Sequence, residues 1–218
     1  MKIYWIKAQA PRRVLALVKH LGIEAELIEM APTSRMKTEG YGALNPNHKA
    51  PTLIDGEVVL WESAAINAYL CIKAGSDMWP AANPAEQVQV LRWISWADQH
   101  WNRAVGPYYF EHIVKPTFAI GAADRSALAD AEGPLRKHAA VLDDWLAGKA
   151  YVALDRLTIA DFQLAAQATY WRAAEMPLRD YANVTRWLDG LMALPAWLDP
   201  WPGQEDIFLR ADERAIAE

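Results

Sequence analysis

Asn45-Pro46-Asn47-His48-Lys49-Ala50-Pro51-Thr52-Leu53-Ile54-Asp55-Gly56-Glu57-Val58-Val59-Leu60-Trp61-Glu62-Ser63-Ala64-Ala65-Ile66 is the stretch on which the fold turns. Its centre, Pro51 to Trp61, reads as a β-hairpin. Two apolar runs flank Asp55-Gly56, a strong two-residue turn signal. Pro51 opens the first of these strands. The second strand runs into Glu62-Ser63, and a helix is expected from about Ser63 to Lys73. A helix beginning there turns free N–H groups and the positive end of its dipole outward, which suits an anion.

Upstream, residues 2–6 (Lys-Ile-Tyr-Trp-Ile) are short, aromatic and β-branched, as a strand requires. Pro11 suits a first helical position, because its missing N–H would be unpaired there. Val14, Leu15, Leu17, Val18 and Leu21 follow at helical spacing, with Gly22 at the exit. Residues 25–30 read as a second strand, and 31–48 as a loop with one irregular helical turn. The order β-α-β-(α)-β-β-α predicts a small mixed sheet with helices on its faces. Beyond residue 80 no comparable strand pattern occurs. Pro84 opens a helical stretch to about 113, and further helices are expected over about 124–148, 159–174 and 183–193. The fold class is therefore α/β plus all-α. Expected boundaries are 1–75 for the first domain, 76–84 for a linker and 85–218 for a helical domain.

The 218 residues are 53% apolar and 22% charged, which excludes a disordered chain. A net charge of −5 argues against a nucleic-acid partner. No run of ~20 apolar residues is present, and none of the composition points to a membrane. Cys71 is the single cysteine, so no intrachain disulfide forms, and a cytoplasmic, reducing compartment is expected. Cys71 itself reads as a small buried apolar residue.

This organisation resembles the glutathione transferase superfamily over about residues 2–200. That resemblance implies an N-terminal thioredoxin-like domain, a C-terminal helical bundle domain and glutathione as co-substrate. It implies that Pro51 is a cis-proline and that Ala50 offers its backbone to the cysteinyl unit of glutathione, a one-residue strand addition. Trp61-Glu62-Ser63-Ala-Ala-Ile66 resembles the family's Glu-Ser-x-Ala-Ile. Ser63 and the helix start would hold the γ-glutamyl carboxylate, and Glu62 its ammonium. His48, Lys49 and Lys37 are placed to meet the glycine carboxylate. Thr158-Ile-Ala-Asp161-Phe resembles a buried capping box with a structural role. Arg13-Val14-Leu15 is a fold-supporting run.

The family's chemistry needs a thiolate, and a free thiol has a pKa near 8.5. Relatives lower it with a Tyr or Ser hydroxyl, and others place a Cys there and form mixed disulfides instead. Here Ala8 falls at the Ser/Cys position, and no Ser, Thr, Cys or Tyr occurs from Ile6 through Pro32. Tyr4, the N-terminus of the first helix, Gln9 and Arg12 remain. The helix terminus with Gln9 or Arg12 is the expected activator. The electrophile pocket is expected from Trp101, Tyr108 and Tyr109, in a region that also offers Trp96, His100 and Phe110. Trp93 and Trp96, three apart on a helix, suit a core or an interface. No metal site is indicated. The function implied is transfer of the glutathione thiolate to a small apolar electrophile by a homodimer. The alternative is a glutathione-binding or protein-interaction module without transferase activity. A third reading is peroxidase, isomerase or dehalogenase chemistry on the same cofactor.

Overall fold

The structure is a computed structural model that describes residues 1–30, 36–204 and 206. Four strands form one sheet in the order β2-β1-β3-β4. They are β1 (Lys2–Trp5), β2 (Glu26–Glu29), β3 (Thr52–Asp55) and β4 (Val58–Trp61). β2 lies parallel to β1, as a strand returned by a helical crossover must, and β3 runs antiparallel to both β1 and β4. The crossover is α1 (Gln9–Leu21), which exits through Gly22 at φ 63°. The sequence placed Pro11 at the first helical position; α1 begins two residues earlier, at Gln9, so Pro11 sits inside the first turn. Its missing N–H is still harmless there, because no N–H of that turn has a partner inside the helix. The hairpin loop is Gly56-Glu57, one residue past the Asp55-Gly56 expected, with Asp55 paired to Val58. Gly56 takes φ 60° at the first loop position, a conformation that favours glycine.

Alternation in β1 sends Ile3 into the main core with Val14, Leu17 and Leu53. Tyr4 faces the other way, into a smaller cluster with Met30, Met36 and Tyr41. Tyr41 belongs to the short helix α2 (Glu39–Gly42). The part of the expected 31–48 loop that spans 31–35 lies outside the described residues, as does the tail after 204 apart from Asp206.

α3 (Ser63–Ala74) closes the sheet layer, and Gly75–Asn83 leads to α4 (Pro84–Trp96). Helical backbone then continues through a wide π-type turn (Ala97–Trp101), α5 (Asn102–Tyr109), a second π-type turn (Phe110–Val114) and α6 (Lys115–Phe118). Pro107 lies inside α5 and cannot donate to the carbonyl of the preceding turn, which accounts for a disturbed ladder there. α7 (Arg125–Leu146), α8 (Ile159–Ala168), α9 (Ala182–Met192) and α10 (Pro195–Leu198) follow. Among the described residues no helix is long and apolar enough to cross a membrane.

α8 is buried at every position but one and packs on α1, α3, α4 and α5, so one core joins the sheet layer to the helices. Thr158 and Asp161 form its capping box. Asp161 Oδ2 accepts from the Thr158 backbone N–H (2.9 Å) and hydroxyl (3.0 Å). Its Oδ1 accepts from the Val152 N–H (2.9 Å) and the Trp187 indole N–H (3.1 Å).

Candidate functional site

A pocket of about 240 Å³ opens where α1, the start of β3 and the start of α3 converge. Ala10, Asn45, Asn47, Lys49, Ala50, Pro51, Glu62 and Ser63 line it. The Ala50–Pro51 peptide is cis. The segment before it is held by side chains whose part the sequence did not disclose. The Lys49 carbonyl accepts from Asn45 Nδ2 (2.7 Å) and from the Tyr41 hydroxyl (2.8 Å). Thr52 Oγ1 ties both of these side chains to β3, at 3.1 Å from Asn45 Nδ2 and 2.8 Å from the Tyr41 hydroxyl. Asn45 Oδ1 accepts from the Asn47 N–H at 3.0 Å. With the carbonyl on one side and Pro51 on the other, the Ala50 backbone has one orientation to offer.

Opposite, Glu62 takes φ 70° and precedes Ser63, the first residue of α3. The free N–H groups of this helix start meet the pocket wall at Ser63, which is buried. Arg13 lies beneath it. Its Nη1 donates to Ser63 Oγ at 3.2 Å, and Asn67 Nδ2 holds the Arg13 carbonyl at 3.4 Å. The guanidinium has no ion-pair partner among the described residues. Burial pulls it down to about 10, with Asp98 and Glu62 pulling the other way at longer range. Arg13 therefore places a desolvated positive charge behind a hydroxyl and a helix dipole. The sequence marked it only as part of an apolar helix. Its signal was a cation at a position whose helical neighbours Gln9, Val14 and Leu17 all point inward.

Lys49 contributes to the pocket wall and keeps an exposed side chain. His48 and Lys37 are exposed and stand outside that wall. His48 adopts φ 51°, and its Nδ1 lies 2.6 Å from the Met36 carbonyl, which makes Nδ1 the protonated nitrogen.

The N-terminus of α1 lies one residue from Ala10 of the pocket wall. Ala8 is its cap, with no side-chain hydrogen bond to give. Gln9, the first helical residue, is buried and donates from Nε2 to the Tyr109 hydroxyl at 2.9 Å. Arg12, expected to add charge at the thiol, turns its guanidinium into the core. It is fully buried and donates to the Tyr170 hydroxyl (2.6 Å), to Asp206 and to the Trp197 carbonyl. One helical position, about 100°, separates Arg12 from Arg13. That rotation sends Arg12 between α8 and α10 and Arg13 under α3. Arg12 is thus a buried strut between the layers and not a solvated surface charge.

The expected electrophile pocket also divides. Trp101 has no exposed surface, and its indole N–H donates to the Leu164 carbonyl at 2.9 Å. It belongs to the core, because the wide turn at 97–101 rotates it inward. Tyr108 faces α7, with its hydroxyl 3.5 Å from the Leu128 carbonyl. Tyr109 points the other way, against α1. The two hydroxyls thus meet different elements, α7 and α1. Tyr4 packs edge-on against Tyr41, with ring centroids 5.8 Å apart, on the sheet face opposite Ile3. Cys71 is fully buried in α3, and burial pushes its thiol up to about 12.

Comparison with known proteins matches residues 2–71 to the model described as "Glutathione S-transferase, N-terminal domain". Residues 94–195 match "Glutathione S-transferase, C-terminal domain". The chain is 32% identical over 153 residues to glutathione S-transferase 3 of Zea mays, covering 68% of each chain. The theta class glutathione S-transferase from Xanthomonas axonopodis pv. citri, solved with glutathione bound, superposes with a TM-score of 0.78. It is 27% identical, and the match covers 90% of this chain and 94% of that one. Glutathione transferase F7 from Populus trichocarpa shares the fold, with a TM-score of 0.81 at 23% identity over 90% of this chain and 95% of that one.

Proposed function

The chain belongs to the glutathione S-transferase family, and from that premise we propose how its site performs the family's reaction. It is a glutathione transferase. It binds glutathione as co-substrate and joins the thiolate sulfur to a hydrophobic electrophile. The observation that carries the assignment of residues is the convergence of three backbone features on one pocket. These are the Ala50 peptide unit, the start of α3 at Ser63 and the start of α1 beside Ala10.

In this reading Ala50 pairs with the cysteinyl backbone of glutathione. Ser63 and the α3 N–H groups, backed by Arg13, hold the γ-glutamyl carboxylate. Glu62 receives the γ-glutamyl ammonium. Lys49 holds the glycine carboxylate, and His48 and Lys37 swing in from the exposed rim to share it. The cysteinyl sulfur then falls at the N-terminus of α1, near Gln9. A helix terminus favours an anion by up to ~2 kcal/mol in a partly buried site, which is more than one pH unit of thiol acidity.

Residues 1–75 are read as the glutathione-binding domain, 76–84 as its linker and 85–218 as the domain with the electrophile site and dimer contacts. A homodimer is favoured by the apolar side chains left in water on β4 and α4. Trp61 is 39% exposed, Val88 57% and Leu91 51%. A cytoplasmic location fits a co-substrate that must stay reduced, and a chain whose lone thiol is buried.

The test is calorimetric titration of S-methylglutathione, together with turnover of an activated aryl chloride by glutathione. Wild type is expected to bind and turn over. Ser63→Ala is expected to weaken binding of the methylated tripeptide about tenfold or more, since a hydrogen bond to a charged group is worth roughly 1.5–3 kcal/mol. Unchanged affinity in that variant would remove the carboxylate from the α3 terminus.

A further inference from the structure

The geometry points to Tyr109 as the hydrogen-bond donor to the glutathione thiolate, with Gln9 as the residue that positions it. This inference rests on the glutathione site proposed above. It supplies the hydroxyl that residues 6–32 lack, and takes it from the helical layer rather than from the sheet layer.

Gln9 and Tyr109 are 100 residues apart in sequence and meet at 2.9 Å. Gln9 is the first residue of α1, next to Ala10 of the pocket wall. The amide N–H of Gln9 occupies a lone pair of the phenolic oxygen, so Tyr109 must direct its own proton elsewhere. No acceptor for that proton lies among the described residues. Gln9 Oε1 is likewise buried with no partner among them. A buried amide and a buried phenol, each with hydrogen-bonding capacity unused, are costly unless a ligand completes them. Both stand at the helix terminus where the cysteinyl sulfur is placed.

The surroundings keep the phenol a donor. Burial pushes Tyr109 up to about 12, with Gln9 and Arg12 opposing and Asp206 assisting. It carries its proton across the working pH range. Tyr170 lies alongside, with ring centroids 5.5 Å apart, and fixes the ring. Arg12 is committed to Asp206, Tyr170 and the Trp197 carbonyl and does not compete for the phenolic oxygen.

The step balances without a further reagent. The thiol proton leaves to water as glutathione binds. Tyr109 keeps its proton and shares it with S⁻. The sulfur lone pair then forms the C–S bond to the aryl carbon. The carbon–chlorine pair departs as chloride, and the Tyr109 hydrogen bond weakens as the sulfur loses its charge.

The experiment is ultraviolet titration of the thiolate of bound glutathione in wild type, Tyr109→Phe, Gln9→Ala and the double variant. Tyr108→Phe serves as control, because its hydroxyl faces α7. A neutral donor on a charged acceptor predicts that Tyr109→Phe raises the bound-thiol pKa by about 1–2 units. At pH 6.5 kcat/KM for the aryl chloride should fall roughly 10–100-fold, while S-methylglutathione binds within about threefold of wild type. Gln9→Ala should shift the thiol in the same direction in the wild-type background and not at all in the Tyr109→Phe background. That non-additivity is the signature of positioning, and Gln9→Ala alone carries the test should Tyr109→Phe fail to fold. A thiol pKa in Tyr109→Phe within about 0.3 unit of wild type overturns the inference, as does a shift of equal size in Tyr108→Phe. Wild type that binds S-methylglutathione while leaving the glutathione thiol near 8.5 also overturns it and spares the binding site. Wild type that binds neither tripeptide overturns the site itself.

Discussion

Replacing Arg13 by methionine should separate a charge kept for a ligand from a charge kept for the fold. The guanidinium is buried, donates to Ser63 Oγ at 3.2 Å and has no ion-pair partner among the described residues. A carboxylate hydrogen-bonded to Ser63 would lie a further ~2.8 Å out, so about 6 Å from the guanidinium. Two unit charges at that separation attract by about 3 kcal/mol at an effective dielectric constant of ~20. Glu62 and Asp98 are near enough to offset part of it. The expected loss is therefore about 1.5–3 kcal/mol, or roughly a 10–100-fold rise in Kd for S-methylglutathione by calorimetry at neutral pH. The methylated ligand removes thiol ionisation from the measurement. The ligand-free fold should behave differently. Methionine fills much of the volume and ends the desolvation of an unpaired charge, so urea unfolding should shift by no more than about 1 kcal/mol. An analogue with the γ-glutamyl α-carboxylate converted to an amide should bind wild type weakly and bind the Arg13→Met variant no worse. The reasoning is refuted if Kd changes less than twofold, or if the amide analogue loses as much as the carboxylate.

Arg12→Met should do the reverse. It strips one partner from a fully buried carboxylate, Asp206, and from Tyr170, at a cost of about 3–5 kcal/mol in urea unfolding. In the fraction that folds, the bound-thiol pKa should move less than it does in Tyr109→Phe, because Arg12 reaches the Tyr109 phenol only through space and through Tyr170. Asn45→Ala removes two of the bonds that orient the Lys49–Ala50 segment, so KM for glutathione should rise several-fold with a smaller change in kcat. Glu111 accepts from Lys115 Nζ (2.6 Å) and from the Asp124 N–H (2.7 Å), and these bonds hold its carboxyl below the ordinary glutamate value. A depressed folded pKa gives a contribution that is complete above the unfolded value, ~4.3, and lost as the pH falls through the folded one. The Tm of wild type should therefore drop more steeply than that of Glu111→Gln on acidification below about pH 5.

The hairpin, the crossover and the helical second layer could be read from local signals alone. Asp55-Gly56 lies between two apolar runs, Gly22 ends one helix, Pro84 opens another, and period-2 and period-3.6 patterns do the rest. Local signals also marked the helix start at Ser63 as an anion site, while the parts of Ala50 and Pro51 came from the resemblance to the glutathione transferases. Such signals act over a few residues and carry no information about which face of a helix meets which distant element. Arg12 and Arg13 are identical in type and adjacent in sequence. Their fates diverge because one helical step points one at residues 170, 197 and 206 and the other at residues 63 and 67. Tyr108 and Tyr109 part in the same way, and the wide turn before α5 moves Trp101 into the core. Periodicity and turn chemistry determined the elements and their order. The pairing of Gln9 with Tyr109 was decided only when two layers closed on one another, since a contact across 100 residues is fixed by packing and leaves no trace in either segment.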